Sequence, residues 1–114
     1  MRKSKFIIDK KSIENQSYNN FDHSFSLFNK STFKNCNFEN SNFKESQIFD
    51  VKFVNCNLIN TDFRSCAFKG VEFLNCKLDK LKIQSSSFDK IKMTNIDTKD
   101  IKARNTVFKN SLLS

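Results

Sequence analysis

The sequence predicts an all-β chain folded as a parallel β-helix, a stack of square coils of 20 residues each. Three observations predict it. First, every fifth residue from Phe28 is bulky and apolar: Phe28, Phe33, Phe38, Phe43, Ile48, Phe53, Leu58, Phe63, Phe68, Phe73, Leu78, Ile83, Phe88 and Met93, with Phe108 in the same phase. Second, two residues before each comes an uncharged, mostly small companion: Ser26, Ser31, Cys36, Ser41, Ser46, Val51, Cys56, Thr61, Cys66, Val71, Cys76, Leu81, Ser86 and Ile91. Third, like residues recur 20 apart, as in Cys36, Cys56 and Cys76, or Asn35, Asn55, Asn75 and Asn95.

A period of five suits neither a helix, which needs apolar residues three and four apart, nor a simple strand, which needs alternation. It suits a short extended segment followed by a turn. In such a segment alternate side chains share a face, so the first and third residues point inward. Four segments at right angles close a coil of 20 residues, and successive coils stack about 4.8 Å apart. Residues 20 apart then sit one above another, and the Asn column is placed to hydrogen-bond along the stack.

In order along the chain, residues 1–22 join the repeat only in part. Ile8, Ile13 and Tyr18 are in phase, but Lys11 and Gln16 hold inward companion positions and cannot be buried unpaired without cost. This segment is expected to be an N-terminal cap or imperfect coil, covering the apolar end of the stack. Residues 23–110 form the β-helix of four to five coils, most regular from 26 to about 95. Ile96, Thr98, Ile101 and Ala103 offer less bulk, so the last coil is expected to be looser. Residues 111–114 are a short C-terminal tail.

Composition follows from the repeat. Among 114 residues there are 14 Phe, one Gly and no Pro, and an ordinary domain with hairpin turns would use more Gly and Pro. The four cysteines stand 20, 10 and 10 apart in companion positions, so they are expected to fill the core as small apolar groups. With no Cys-x-x-Cys pair and a single histidine, His23, a zinc site is not expected. Nor is a Cys/His or Ser/His/Asp nucleophile, and His23 is expected on the surface of the cap. The carboxylates Asp62, Glu72, Asp79 and Asp97 are scattered over outward positions, and no Gly-rich phosphate loop exists. The expectation is therefore no enzyme, no metal and no cofactor. The apolar run Phe6–Ile8 is too short for a signal peptide or a membrane span, which with reduced thiols points to the cytoplasm.

The repeats Cys36-Asn37-Phe38-Glu39-Asn40, Ser41-Asn42-Phe43-Lys44-Glu45, Cys56-Asn57-Leu58-Ile59-Asn60 and Thr61-Asp62-Phe63-Arg64-Ser65 read small residue, Asp or Asn, Leu or Phe, then two variable residues. This resembles the pentapeptide repeat family over residues 26 to 110. The resemblance implies a right-handed quadrilateral β-helix. Departures include the larger Val71, Leu81, Ile91, Ile96 and Ile101, and Lys in the Asp/Asn position at Lys52, Lys77, Lys82, Lys92 and Lys102. They lead us to expect a tighter or distorted interior in the C-terminal half. The resemblance also implies several functions. One group protects DNA gyrase and topoisomerase IV from quinolones or peptide toxins, mimics a DNA duplex in shape and negative charge, and dimerises through a C-terminal helix. The Phe-centred, Cys-rich repeats resemble that group, whereas a formal net charge of +8 suits no polyanion mimic. Another group comprises effectors delivered into host cells.

Function is therefore expected on the outer surface. One side collects Lys44, Arg64, Lys82, Lys102 and Arg104 against Glu45 and Asp62. A second feature is outward apolar residues, Phe49, Val54, Ile59 and Leu74, expected as a small patch around the middle coils. The leading expectation is a non-enzymatic protein-binding module with an unknown partner. The alternatives are a gyrase- or topoisomerase IV-protecting protein, and a secreted effector or nucleic-acid binder using the basic side. The chain is expected to be a monomer, or a weak dimer through its C-terminal end.

Overall fold

The computed structural model describes residues 6–109 and 111–113. Strands come in pairs, one pair per coil: β1 (Ile7–Asp9) with β2 (Ser12–Glu14), β3 (Leu27–Asn29) with β4 (Thr32–Lys34), and β5 (Gln47–Phe49) with β6 (Lys52–Val54). Then follow β7 (Ala67–Lys69) with β8 (Glu72–Leu74), β9 (Ser87–Asp89) with β10 (Lys92–Thr94), and β11 (Val107–Lys109) with β12 (Leu112–Leu113). The odd-numbered strands form one six-stranded parallel sheet and the even-numbered strands a second. Each residue pairs with the one 20 positions on, as in Phe28 with Ile48 and Phe53 with Phe73. The fold is an all-β parallel β-solenoid with no helix among the described residues, and 27–106 spans four successive 20-residue coils.

Only two of the four sides carry sheets, whereas the sequence leads one to expect four equal extended segments. The other two sides are joined by single bridges, Ser17–Asn37–Asn57–Lys77–Asp97 and Asp22–Asn42–Asp62–Lys82–Lys102. There the chain turns tightly, with Ser41 N donating to Phe38 O at 3.1 Å and Thr61 N to Leu58 O at 3.2 Å. We call these the first and second turn sides.

Every corner has the same backbone. From Lys10 to Asn105 every fifth residue has φ between +50° and +66°. Few residue types tolerate this left-handed region, and Asn and Gly lead them. Nine of these corners are Asn and one is Gly70. Asn therefore recurs at a fixed position first because of the corner. Laddering comes second: Asn95 Nδ2 donates to Asn75 Oδ1 at 2.6 Å and Asn60 Nδ2 to Asn40 Oδ1 at 2.7 Å.

The interior is filled by the five-residue series. Phe28, Phe33, Phe38, Phe43, Ile48, Phe53, Leu58, Phe63, Phe68, Phe73, Leu78, Ile83 and Phe88 are all buried, at no more than 2% exposure. The companions Val71, Leu81 and Ile91 are buried with them despite their size. Met93 departs from its expected core place. It is half-buried, because the coil that follows it carries Thr98 and Ala103 at the core positions and gives it less to pack against. The side chain of Phe108 lies outside the described residues, and its backbone pairs with Phe88.

Residues 7–22 continue the stack, with β1 paired to β3 and β2 to β4. Ile13, Tyr18 and Phe21 are only half-buried there, and Lys11 and Gln16 face solvent. Phe6 lies across this end of the interior, its ring centroid 5.0 Å from Phe21, 5.7 Å from Tyr18 and 5.8 Å from Phe28.

Candidate interaction surfaces

Because the repeat consumes the interior, chemistry is left to the companions and to the outer faces. The cysteines are more than filler. Cys66 Sγ donates to Phe43 O at 3.1 Å, Cys76 Sγ to Phe53 O at 3.2 Å and Cys56 Sγ to Phe33 O at 3.3 Å. Ser86 and Thr61 do the same with their hydroxyls, to Phe63 O at 2.7 Å and Phe38 O at 2.8 Å. These five companions thus each donate to the carbonyl of a core residue 23 positions back, in the coil below. The signal in the sequence was the interchange of Cys, Ser and Thr at one position, since these share a donor as well as a size.

All four thiols are buried and free. Burial pushes the Cys66 thiol up to about 12 and raises that of Cys36. The contact between Cys56 and Cys76 raises the first thiol, which burial raises further, and lowers the second. A thiol held protonated is a poor nucleophile. His23, expected on the surface, is half-buried instead, with its ring 4.1 Å from that of Phe21. It packs there because the imidazole follows Phe21 onto the aromatic end of the stack.

The second turn side holds the expected cations. Lys82 and Lys102 are bridge partners in successive coils. Arg64, Lys102 and Arg104 line a shallow groove of about 580 Å³ with Gln84. Lys80, Lys82 and Lys102 line an adjoining one of about 300 Å³, with Asp100 on its wall. Lys102 and Arg104 are exposed, while Lys44, Arg64 and Lys82 are half-buried. Arg64 is already engaged: Nη2 lies 2.7 Å from Asp62 Oδ2 and Nε 2.9 Å from Asp62 Oδ1. This two-point pair, two residues apart on one side, raises the Arg64 pKa further and satisfies much of its guanidinium. The cations left for a partner are Lys44, Lys82, Lys102 and Arg104.

The four outward apolar residues lie on three adjoining sides. Val54 and Leu74 are register partners on β6 and β8. Phe49 lies on the other sheet, between Asn29 and Lys69. Ile59 is on the first turn side. Positive-φ corners at Asp50 and Asn55 separate them. Sequence reasoning missed the exposed Ile7, Phe25 and Val107, whereas Leu112 is exposed as its place beside an open end led one to expect. Following the outward position Ile7, Leu27, Gln47, Ala67, Ser87, Val107 at intervals of 20 would have found a column without charge.

A family model described as a pentapeptide repeat region matches residues 26–98. The chain belongs to the pentapeptide repeat family. No curated protein sequence matches it. Among solved structures, this pentapeptide repeat chain is similar to a pentapeptide repeat protein from the Arabidopsis thaliana thylakoid lumen, at 16% identity and a TM-score of 0.64. The match covers 89% of this chain and 60% of that one, so the chain spans less than two thirds of that protein's length. It is also similar to a trypsin-treated variant of QnrB1, a plasmid-mediated fluoroquinolone resistance protein. There the identity is 18% and the TM-score 0.61, over 96% of this chain and 70% of that one. A third is the pentapeptide repeat protein Rfr23 from the cyanobacterium Cyanothece 51142, at 12% identity and a TM-score of 0.54, over 96% and 88% of the two chains. These are likenesses of fold.

Proposed function

We propose that this pentapeptide repeat chain is a non-enzymatic interaction module whose second turn side binds an acidic surface of a partner protein. The observation that carries the reading is the stacking of Lys82 on Lys102 beside Arg104, with the nearby Asp62 already taken by Arg64. Stacked coils hold the backbones that carry Lys82 and Lys102 about 4.8 Å apart, which keeps their charges close on one side and favours an anionic partner. The filled interior and the engaged thiols support a binding role over a catalytic one. The exposed aromatic on this side among the described residues, Phe25, lies beside Lys44 and three coils below Lys82, so no ring flanks the Lys82–Lys102 stack, which favours a protein partner over stacked nucleic-acid bases.

The test compares the wild-type chain with Lys82→Glu/Lys102→Glu/Arg104→Glu in a pull-down from the native cell. A protein retained by the wild type, released by salt and absent from the variant is the expected result. An identical set of proteins from both baits overturns the reading. Duplex DNA bound in place of protein, or supercoiling by gyrase protected from a quinolone, assigns the chain to one of the alternatives.

A further inference from the structure

The outer face of the odd-numbered sheet is complementary to itself. Its first outward column, from β1 to β11, reads Ile7, Leu27, Gln47, Ala67, Ser87, Val107, and its second reads Asp9, Asn29, Phe49, Lys69, Asp89, Lys109. Ile7 and Val107, at opposite ends of the first column, are 56% and 52% exposed. Asp9 and Lys109, at opposite ends of the second, carry opposite charges. A two-fold axis along the strand direction, between β5 and β7, reverses the order of the coils and keeps each column facing itself. Ile7 then meets Val107 of a second copy, Leu27 meets Ser87 and Gln47 meets Ala67. In the last two pairs a long side chain faces a short one. The short pair Ala67 and Ser87 in fact floors a groove of about 280 Å³ beside Phe49 and Val107. In the second column Asp9 meets Lys109, and Phe49 meets Lys69 as a ring meets a cation.

We propose that two copies of this chain associate face to face through this sheet, about that two-fold axis. The interface is isologous, so each favourable pair is made twice. It leaves the basic side open to the partner proposed above and does not depend on that reading. It also differs from association through the C-terminal end, where Leu112 is exposed.

Sedimentation velocity over a concentration series tests it, with β circular dichroism confirming that each variant is folded. The wild type is expected to be a dimer at high-micromolar concentration that dissociates on dilution. Ala67→Glu, at the centre of the face, is expected to be monomeric, and Leu112→Glu to dimerise as the wild type does. Asp9→Lys and Lys109→Asp each place like charges across the interface twice and are expected to weaken dimerisation by about tenfold or more. Mixed in equal amounts, these two variants complement each other, and a mixed dimer of wild-type affinity is expected. A wild type that is monomeric throughout, a mixture no tighter than its components, or loss of the dimer in Leu112→Glu with retention in Ala67→Glu overturns the proposal.

Discussion

The rings of Phe53 and Phe73, twenty residues apart, stack with centroids 5.2 Å apart and planes 8° from parallel. Phe33 lies on the other side of Phe53 at 5.4 Å and 11°, so one column holds three rings. Truncating the middle ring opens a cavity whose walls belong to a backbone tied above and below, and such walls collapse poorly. Phe53→Ala is expected to cost about 3–5 kcal/mol and Phe53→Leu about 1 kcal/mol. Denaturant unfolding followed by circular dichroism reads both, and an unchanged midpoint in the Ala variant contradicts the stacked core.

Cys66 donates to Phe43 O and accepts from Ser46 N at 3.3 Å. Ser86, one coil on, makes the equivalent pair with Phe63 O and Cys66 N. Cys66→Ser is therefore expected to unfold within about 1 kcal/mol of the wild type. Cys66→Val keeps the bulk but orphans a carbonyl and an N–H, and about 1–3 kcal/mol is expected to be lost. Equal stabilities for the two variants would show that size alone governs the position.

The same thiol makes stability depend on alkaline pH. Its pKa is about 12 in the folded chain against roughly 8.5 when unfolded. Between these values the unfolded state releases the proton and the folded state keeps it. Stability is thus intact below the unfolded value and falls as pH rises towards the folded one, by at most about 1.4 kcal/mol per pH unit for this group. Unfolding midpoints measured from pH 8 upward are expected to decline, and less steeply in Cys66→Ser. Ellman's reagent is expected to label the folded wild type only as fast as it opens.

The corners predict two shifts of opposite sign. Gly70 has φ +66°, and a Cβ built there falls 2.6 Å from Asp50 Oδ1. Gly70→Ala is expected to destabilise by about 1–2 kcal/mol. Lys30 is exposed at φ +50°, and Lys30→Gly is expected to stabilise by about 0.5–1 kcal/mol. Thermal melts of both variants against the wild type give the signs directly.

The architecture was legible because each inward position repeats many times, so a few exceptions do not hide the period. Phe53 above Phe33 follows from arithmetic on the sequence. The hydrogen bond from Cys66 to Phe43 does not, because an offset of 23 mixes neighbouring coils with neighbouring sides. The difference between sheet sides and turn sides was hidden for another reason: both are written in the same five-residue motif. The basic side was legible as a set of residues, but the Arg64–Asp62 pair depends on how two side chains fold back along one segment. Phe49, Val54 and Ile59 stand five apart, so a corner sets each on its own side, which folding the sequence at 20 residues already places.

The positive-φ corner, recurring every five residues, also constrains how such a chain tolerates changes in length. Inserting or deleting 20 residues adds or removes a whole floor and leaves every later side chain on its own wall. A change of five residues keeps the core pattern intact yet rotates everything downstream by a quarter turn. Lys82, Lys102 and Arg104 would then leave the wall they share with Lys44, in a protein as well folded as before. Length variants in multiples of five but not of twenty thus separate the requirements of the scaffold from those of its surfaces.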